Sequence, residues 1–278
     1  MHIPRADTSP IRPLVIYLTI LVLFFLFAGI AFAAGADTYF AIIVSQLLVI
    51  LGGAILYEKK FAPKRTPWLA FNKLGMPAWI LLLVALTAIA LGFLGNILAA
   101  ATVELFPPLQ ETAQRYQENI EELLLGQDLL PQLLGALSVA IIAPLCEEYL
   151  FRRTLLTEQL RHQGFLMAIL VNGLLFSAMH ANPVAFLALF LIGAFLAHIT
   201  LRTGAIWAAI VAHAALNTVN GVILPRVAER MAAPTELTSS EIAVALLLVA
   251  PITFALWSLT IYAIRRFSSP ETAHSSPS

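Results

Sequence analysis

The chain alternates long apolar runs with short polar connections. The runs at about 13–35, 39–57, 77–102, 131–156, 164–181, 184–201, 205–224 and 242–264 predict eight helices that cross a membrane. Roughly 20 apolar residues at about 1.5 Å each cover the ~30 Å of hydrocarbon. Within the first run, Ala31-Phe32-Ala33 resembles a signal-peptidase site. The run is longer than the roughly 7–15-residue apolar core of a signal peptide, so it is expected to stay in the protein. The connection 103–130 holds Pro107-Pro108 and then a helix-forming stretch with Ile120, Leu123, Leu124 and Leu125. That pattern predicts an amphipathic helix along the interface or over the bundle. Pro131 is placed to open the next helix, where its missing N–H costs nothing.

Charge in the connections orients these spans. Lys59, Lys60, Lys64, Arg65 and Lys73 crowd the second connection, and Arg5 and Arg12 precede the first span. Arg152, Arg153 and Arg161 follow the fourth span, Arg202 the sixth, and Arg265 and Arg266 the eighth. The connection 103–130 is acidic instead, with Glu104, Glu111, Glu118, Glu121, Glu122 and Asp128 against Arg115. Positively charged connections stay in the cytoplasm, so every alternate connection and both termini are expected inside. Arg226 and Arg230 in the seventh connection run against the pattern without reversing it.

Composition agrees. Of the 278 residues 60% are hydrophobic and 12% charged, where a soluble domain carries about 25% charged residues. The expected fold class is an all-α polytopic membrane protein, in a plasma (inner) membrane or endoplasmic reticulum, with the bilayer as its surroundings. A formal net charge of zero gives no support to a nucleic-acid partner. The single cysteine, Cys146, excludes an internal disulfide and a cysteine zinc cluster, and reads as a small buried residue rather than a nucleophile.

Against this background, charges inside the fourth span stand out. Glu147, Glu148 and Arg152 lie in a run that is otherwise apolar from Leu129 to Leu156. A charge at mid-bilayer costs roughly 2.5–3.5 kcal/mol on insertion scales, which points to function. Glu148 and Arg152 are spaced for an ion pair with the acid leading. Glu147 points about 100° away and has no such partner on its own helix. In the fifth span Asn172, Phe176 and His180 share a face, and in the seventh His213 and Asn217 do. Any one of these polar groups would serve as interhelical hydrogen-bond glue. Glu147, His180, His213 and Asn217 together on three helices favour a site. His198, near Arg202, reads as structural, and Asn172 is open between helix packing and a supporting role.

Glu147-Glu148-x-x-x-Arg152, Phe176-x-x-x-His180 and His213-x-x-x-Asn217 resemble the three signatures of the CPBP family. These are intramembrane proteases related to type II CAAX prenyl endopeptidases and to bacteriocin-processing or self-immunity (Abi) proteins. The approach Leu201-Arg-Thr-Gly-Ala-Ile-Trp-Ala-Ala-Ile-Val-Ala-His213 is also similar, and the resemblance covers about 142–220. It implies an eight-helix fold around a membrane-embedded chamber open towards the cytoplasm. It also implies that Glu147, His180 and His213 activate water, that Asn217 helps hold the oxyanion, and that Glu148 and Arg152 support the site, with Phe176 of the second signature beside it. The organisation expected on this basis is N-terminal transmembrane helices with an acidic extracytoplasmic connection over 1–130, a catalytic core over 131–265, and a Ser/Pro-rich disordered tail over 266–278.

There is no Gly-x-Ser-x-Gly elbow to support covalent catalysis. Glu147 is the candidate general base for water, with the Asn217 amide and a His donor for the oxyanion and His180 or His213 as proton donor to the leaving nitrogen. Two His and one Glu are also a legitimate Zn2+ set, Glu147, His180 and His213, with water as fourth ligand. The helical His-Glu-x-x-His signature is absent, and the reading leans to a metal-free Glu/His site. The expected partner is a membrane-anchored protein or peptide substrate, a prenylated CAAX protein among the candidates. A non-catalytic scaffold or immunity protein is the main alternative. A transporter would need broken helices and an inverted repeat, and neither is visible.

Overall fold

The computed structural model describes residues 9–36, 38–64, 68–69, 76–125, 128–231 and 237–267. Among them the chain forms nine helices and no strand: α1 Arg12–Ala33, α2 Thr38–Lys60, α3 Ala78–Leu105, α4 Gln110–Leu125, α5 Leu129–Gln159, α6 Phe165–Met179, α7 Phe186–Thr203, α8 Trp207–Val227 and α9 Ser239–Phe267. All but α4 and α6 are long and apolar enough to cross a membrane, seven in number. The protein is thus an all-α polytopic membrane protein, as its apolar pattern predicts. Large apolar side chains cover its outside, including Val22, Phe25 and Leu26 on α1 and Leu247 and Leu248 on α9. In water such a surface would be an aggregation hazard; in a bilayer it faces lipid. The disordered tail expected from Ser268 lies outside the described residues, as do Arg5, Arg65 and Lys73.

The fifth apolar helix is shorter than its pattern suggests. α6 has 15 residues, about 22 Å of rise, and stops at Met179. The cause is local. Asn182-Pro183 disfavours a helical Asn182, and Asn182 instead turns its side chain to start α7. Its Oδ1 accepts the N–H groups of Val184 at 3.0 Å and Ala185 at 3.2 Å. Ala181, between the two helices, takes a left-handed φ of 48°, a conformation costly for a residue with a Cβ. His180 therefore ends a helix instead of sitting within one.

At the other end, α5 starts at Leu129, two residues before Pro131, which still falls in the first turn where its missing N–H is harmless. α4 forms where an amphipathic helix was expected, after a short 3-10 turn at Pro107–Leu109. The apolar side chains expected to orient it, Ile120 and Leu123 to Leu125, are outside the described set.

Packing is tightest between α6 and α7. A Cβ on Gly173 would come within 2.9 Å of the Ala194 nitrogen and the Phe190 carbonyl, and one on Gly193 within 2.9 Å of Gly173 Cα. Two glycines face to face let the backbones touch, the close approach that membrane helices use in place of a hydrophobic driving force. Around this seam Phe151, Phe176, Phe195, Leu196 and Ile199 are buried in one apolar cluster that also includes Cys146.

The bundle has two chemically distinct ends. At one, Arg12 donates to the Phe61 carbonyl at 3.4 Å, and Glu58 receives the Tyr149 hydroxyl at 2.6 Å and Arg153 Nε at 3.0 Å. Arg202 lies over the Phe165 ring at the same end, where α7 finishes and α6 begins. At the other end Ser239 donates to Glu104, joining the start of α9 to the finish of α3 beneath α4.

Candidate active site

Four π-helical turns interrupt the described helices, at Gln46–Leu51, Ser138–Ile142, Tyr149–Leu155 and Asn217–Ile223. Such turns insert an extra residue, re-aim the side chains that follow, and recur at functional sites. Here each carries or opens on a residue of one cluster: Gln46, Val139, Arg152 and Asn217. The cluster forms where α2, α5, α6 and α8 meet.

Glu148 and Arg152 are both wholly buried, and Arg152 Nε lies 3.1 Å from Glu148 Oε2. Arg152 also donates to the Gly193 carbonyl at 3.0 Å, and its guanidinium covers the Phe176 ring at 4.7 Å. The other oxygen of Glu148 is 2.8 Å from His213 Nδ1. A carboxylate only accepts, so Nδ1 carries the proton and a neutral His213 keeps Nε2 bare. One buried carboxylate thus fixes both an arginine and a histidine tautomer.

Glu147 faces a different environment. Its partners come from other helices: Gln46 Nε2 donates to Oε1 at 3.5 Å, and His180 Nε2 lies 4.0 Å from Oε2. The Oε2 atom is buried and has no hydrogen-bond partner among the described residues. His180 Nδ1 is 2.8 Å from the Phe176 carbonyl, which can only accept, so in the neutral ring Nε2 again has its lone pair, here directed to Glu147. Its side chain is 27% accessible, against 4% for His213. Phe176 stands between the two histidines, its ring centre 4.8 Å from His180 and 5.6 Å from His213. Asn217 donates to the Val139 carbonyl at 2.8 Å with one amide hydrogen, leaving the other.

The remaining sequence candidates lie elsewhere. Asn172 donates to the Phe151 carbonyl at 2.9 Å and to Gln159 Oε1 at 3.0 Å, tying α6 to the later part of α5. His198 sits near Arg202 and Trp257, each presenting an N–H at 3.2 Å, away from the cluster. Cys146 is fully buried.

Two residues near Glu147 escaped the sequence reading. Gln46 belongs to no motif, although a glutamine among α2 apolar residues is itself a signal. Tyr116 on α4 lies by Asn182; burial pushes its hydroxyl pKa up, Asn182 pulls it down, and the Glu147 charge adds a smaller push up. Tyr116 nevertheless keeps 47% of its surface accessible, so it borders open space beside the turn.

Glu147, His180 and His213 do not form a metal-ligand cluster; no three His, Cys, Asp or Glu among the described residues are gathered closely enough to hold an ion. His213 is held on the Glu148 side, with the Phe176 ring between it and His180. The donor set as placed does not fit a metal.

Residues 129–219 match the family model described as type II CAAX prenyl endopeptidase Rce1-like. That stretch contains all three signatures and agrees with the CPBP resemblance. The match supports a protease of the CAAX type within the membrane. No curated protein and no solved structure matches the chain.

Proposed function

Taking residues 129–219 as an Rce1-like protease core, we propose that the protein is an intramembrane endopeptidase that hydrolyses a peptide bond of a membrane-anchored protein or peptide with water activated by Glu147 and His180. The observation that carries this is the placement of His180 Nε2 4.0 Å from Glu147 Oε2, two proton acceptors facing each other. A water bridging them lies within hydrogen-bond reach of both. Glu147 takes its proton while the oxygen attacks the carbonyl carbon. Gln46 steadies the second carboxylate oxygen and keeps the first one turned to His180.

The tetrahedral oxyanion meets the free N–H of Asn217. Glu148 accepts the His213 Nδ1–H and holds that ring in place beside the site. Glu147 then passes its proton to the bare Nε2 of His180, which gives it to the leaving nitrogen as the C–N bond breaks. No step is routed through Cys146, and none through a metal.

The test compares new peptide termini in membranes carrying wild type or Glu147→Gln at matched abundance. Termini made only by wild type are expected, and they identify the substrate and bond together. A general base contributes roughly 10²–10⁴-fold, so the variant's termini should fall below detection. An abundant wild-type protein that generates none would remove the endopeptidase reading.

A further inference from the structure

A second polar cluster lies between α7 and α9, apart from Glu147 and His180. Arg202 is in the last turn of α7 and Arg265 in the last turn of α9. One turn before Arg202, His198 receives two N–H groups. Trp257 Nε1 is 3.2 Å from its Nδ1, and Arg202 Nε is 3.2 Å from its Nε2. Indole and guanidinium nitrogens only donate, and a neutral imidazole has one bare nitrogen. Whichever ring nitrogen holds the proton, one N–H of this trio is aimed at another N–H.

The local charge is positive as well. The charges that act on His198 are those of Arg202 and Arg265, and Arg265 also acts on Arg202. Arg202 enters none of the ion pairs among the described residues. Its guanidinium rests on the Phe165 ring at 4.6 Å instead. A donor short of an acceptor, beside converging positive charge, calls for an oxyanion.

These groups stand at one end of a groove of about 520 Å³, whose lining includes His198, Phe254, Trp257, Ser258, Ile261 and Arg265. Away from Arg265 the walls are mainly apolar, with the Phe254 and Trp257 rings stacked along α9 at 6.2 Å. From Arg265 to Phe254 α9 runs about 16 Å, the depth of one leaflet in a hydrocarbon layer of about 30 Å. A groove that is cationic at the helix ends and apolar for one leaflet below matches a phospholipid. Free phosphate would use only its arginine end. Basic pockets between spanning helices are recurrent seats for anionic head groups.

We propose that this groove binds one anionic phospholipid from the leaflet at the arginine end. His198 accepts from Trp257 at Nδ1 and carries its proton on Nε2. A phosphate oxygen then accepts both that N–H and the Arg202 N–H facing it, with Arg265 beside the headgroup and an acyl chain along Trp257 and Phe254. A zwitterionic lipid has the same phosphate, but its own ammonium offsets the attraction, so a headgroup of net negative charge is selected. The lipid joins α7 to α9 where Phe195 and Trp257 already meet at 5.2 Å. Its binding is independent of whether the protein cleaves peptides.

Native mass spectrometry of the detergent-purified protein tests this with phosphatidylglycerol and phosphatidylcholine of identical chains. The wild type should retain one phosphatidylglycerol in preference to phosphatidylcholine. Arg202→Gln with Arg265→Gln should weaken it about 25-fold, about fivefold for each arginine. Lys59→Gln with Lys60→Gln removes as much charge outside the groove and should leave it unchanged. Ser258→Trp keeps both arginines, fills the groove and should abolish retention; it decides alone if the double arginine variant does not fold. Equal retention of phosphatidylcholine, an equal loss in the lysine variant, or full retention by Ser258→Trp overturns the proposal. So does a thermal midpoint raised as far by inorganic phosphate as by phosphatidylglycerol, which would mark a site for the free anion.

Discussion

Glu147 and Glu148 are adjacent in sequence and opposite in circumstance. Glu148 is wholly buried, with one oxygen 2.8 Å from His213 Nδ1 and the other ion-paired to Arg152 Nε at 3.1 Å. Glu147 has one long contact to Gln46 and one oxygen left over, turned to a partly accessible histidine 4.0 Å away. The helix sends the two side chains about 100° apart, so one enters the packed seam of α6 and α7 and the other the space it shares with Gln46 and His180. In the proposed hydrolytic site, the Glu148 ion pair would be the fixed frame and Glu147 the reactive group.

The comparison breaks most severely at Arg152. Arg152→Leu leaves the buried Glu148 carboxylate without its countercharge and with only His213 beside it, so a stability loss of about 3–5 kcal/mol is expected in a detergent unfolding assay. A variant of wild-type stability would show that the pair is not what holds the seam. Next comes Gly193→Ala, whose new methyl meets Gly173 and Phe176; overpacking at such a contact costs about 1–3 kcal/mol. Its thermal midpoint should fall, and the residual folded enzyme should lose activity because the Gly193 carbonyl anchors Arg152. The smallest effect belongs to the open side. Gln46→Leu removes one neutral donor to a carboxylate, worth about 0.5–1.5 kcal/mol, so kcat should drop up to about tenfold while the unfolding midpoint stays put. A larger change in midpoint than in kcat would move Gln46 to the structural side of the comparison.

Much of this was readable in advance. Long apolar runs can do little else than cross a membrane, and the Glu148–Arg152 pair follows from spacing within one helix. The pairing of His213 with Glu148 rather than Glu147 was not readable, because it depends on how two helix faces 65 positions apart are rotated. The π-helical turns complicate that rotation further, since a regular 3.6-residue repeat miscounts every face beyond them. The end of α6 was misjudged by two residues on apolar content, where Asn182-Pro183 and a left-handed Ala181 decide it. Tyr116 carried no signal, as an aromatic residue in a polar connection has many uses.

The short α6 has one more effect, on the lipid. Its outer face shows Leu166, Met167, Leu170 and Leu174 to the surroundings. A hydrophobic face of about 22 Å beside neighbours long enough for 30 Å makes the bilayer thin at that point. On the proposed reading, a polypeptide anchored beside this flank would present the first residues beyond its anchor to Glu147 and His180.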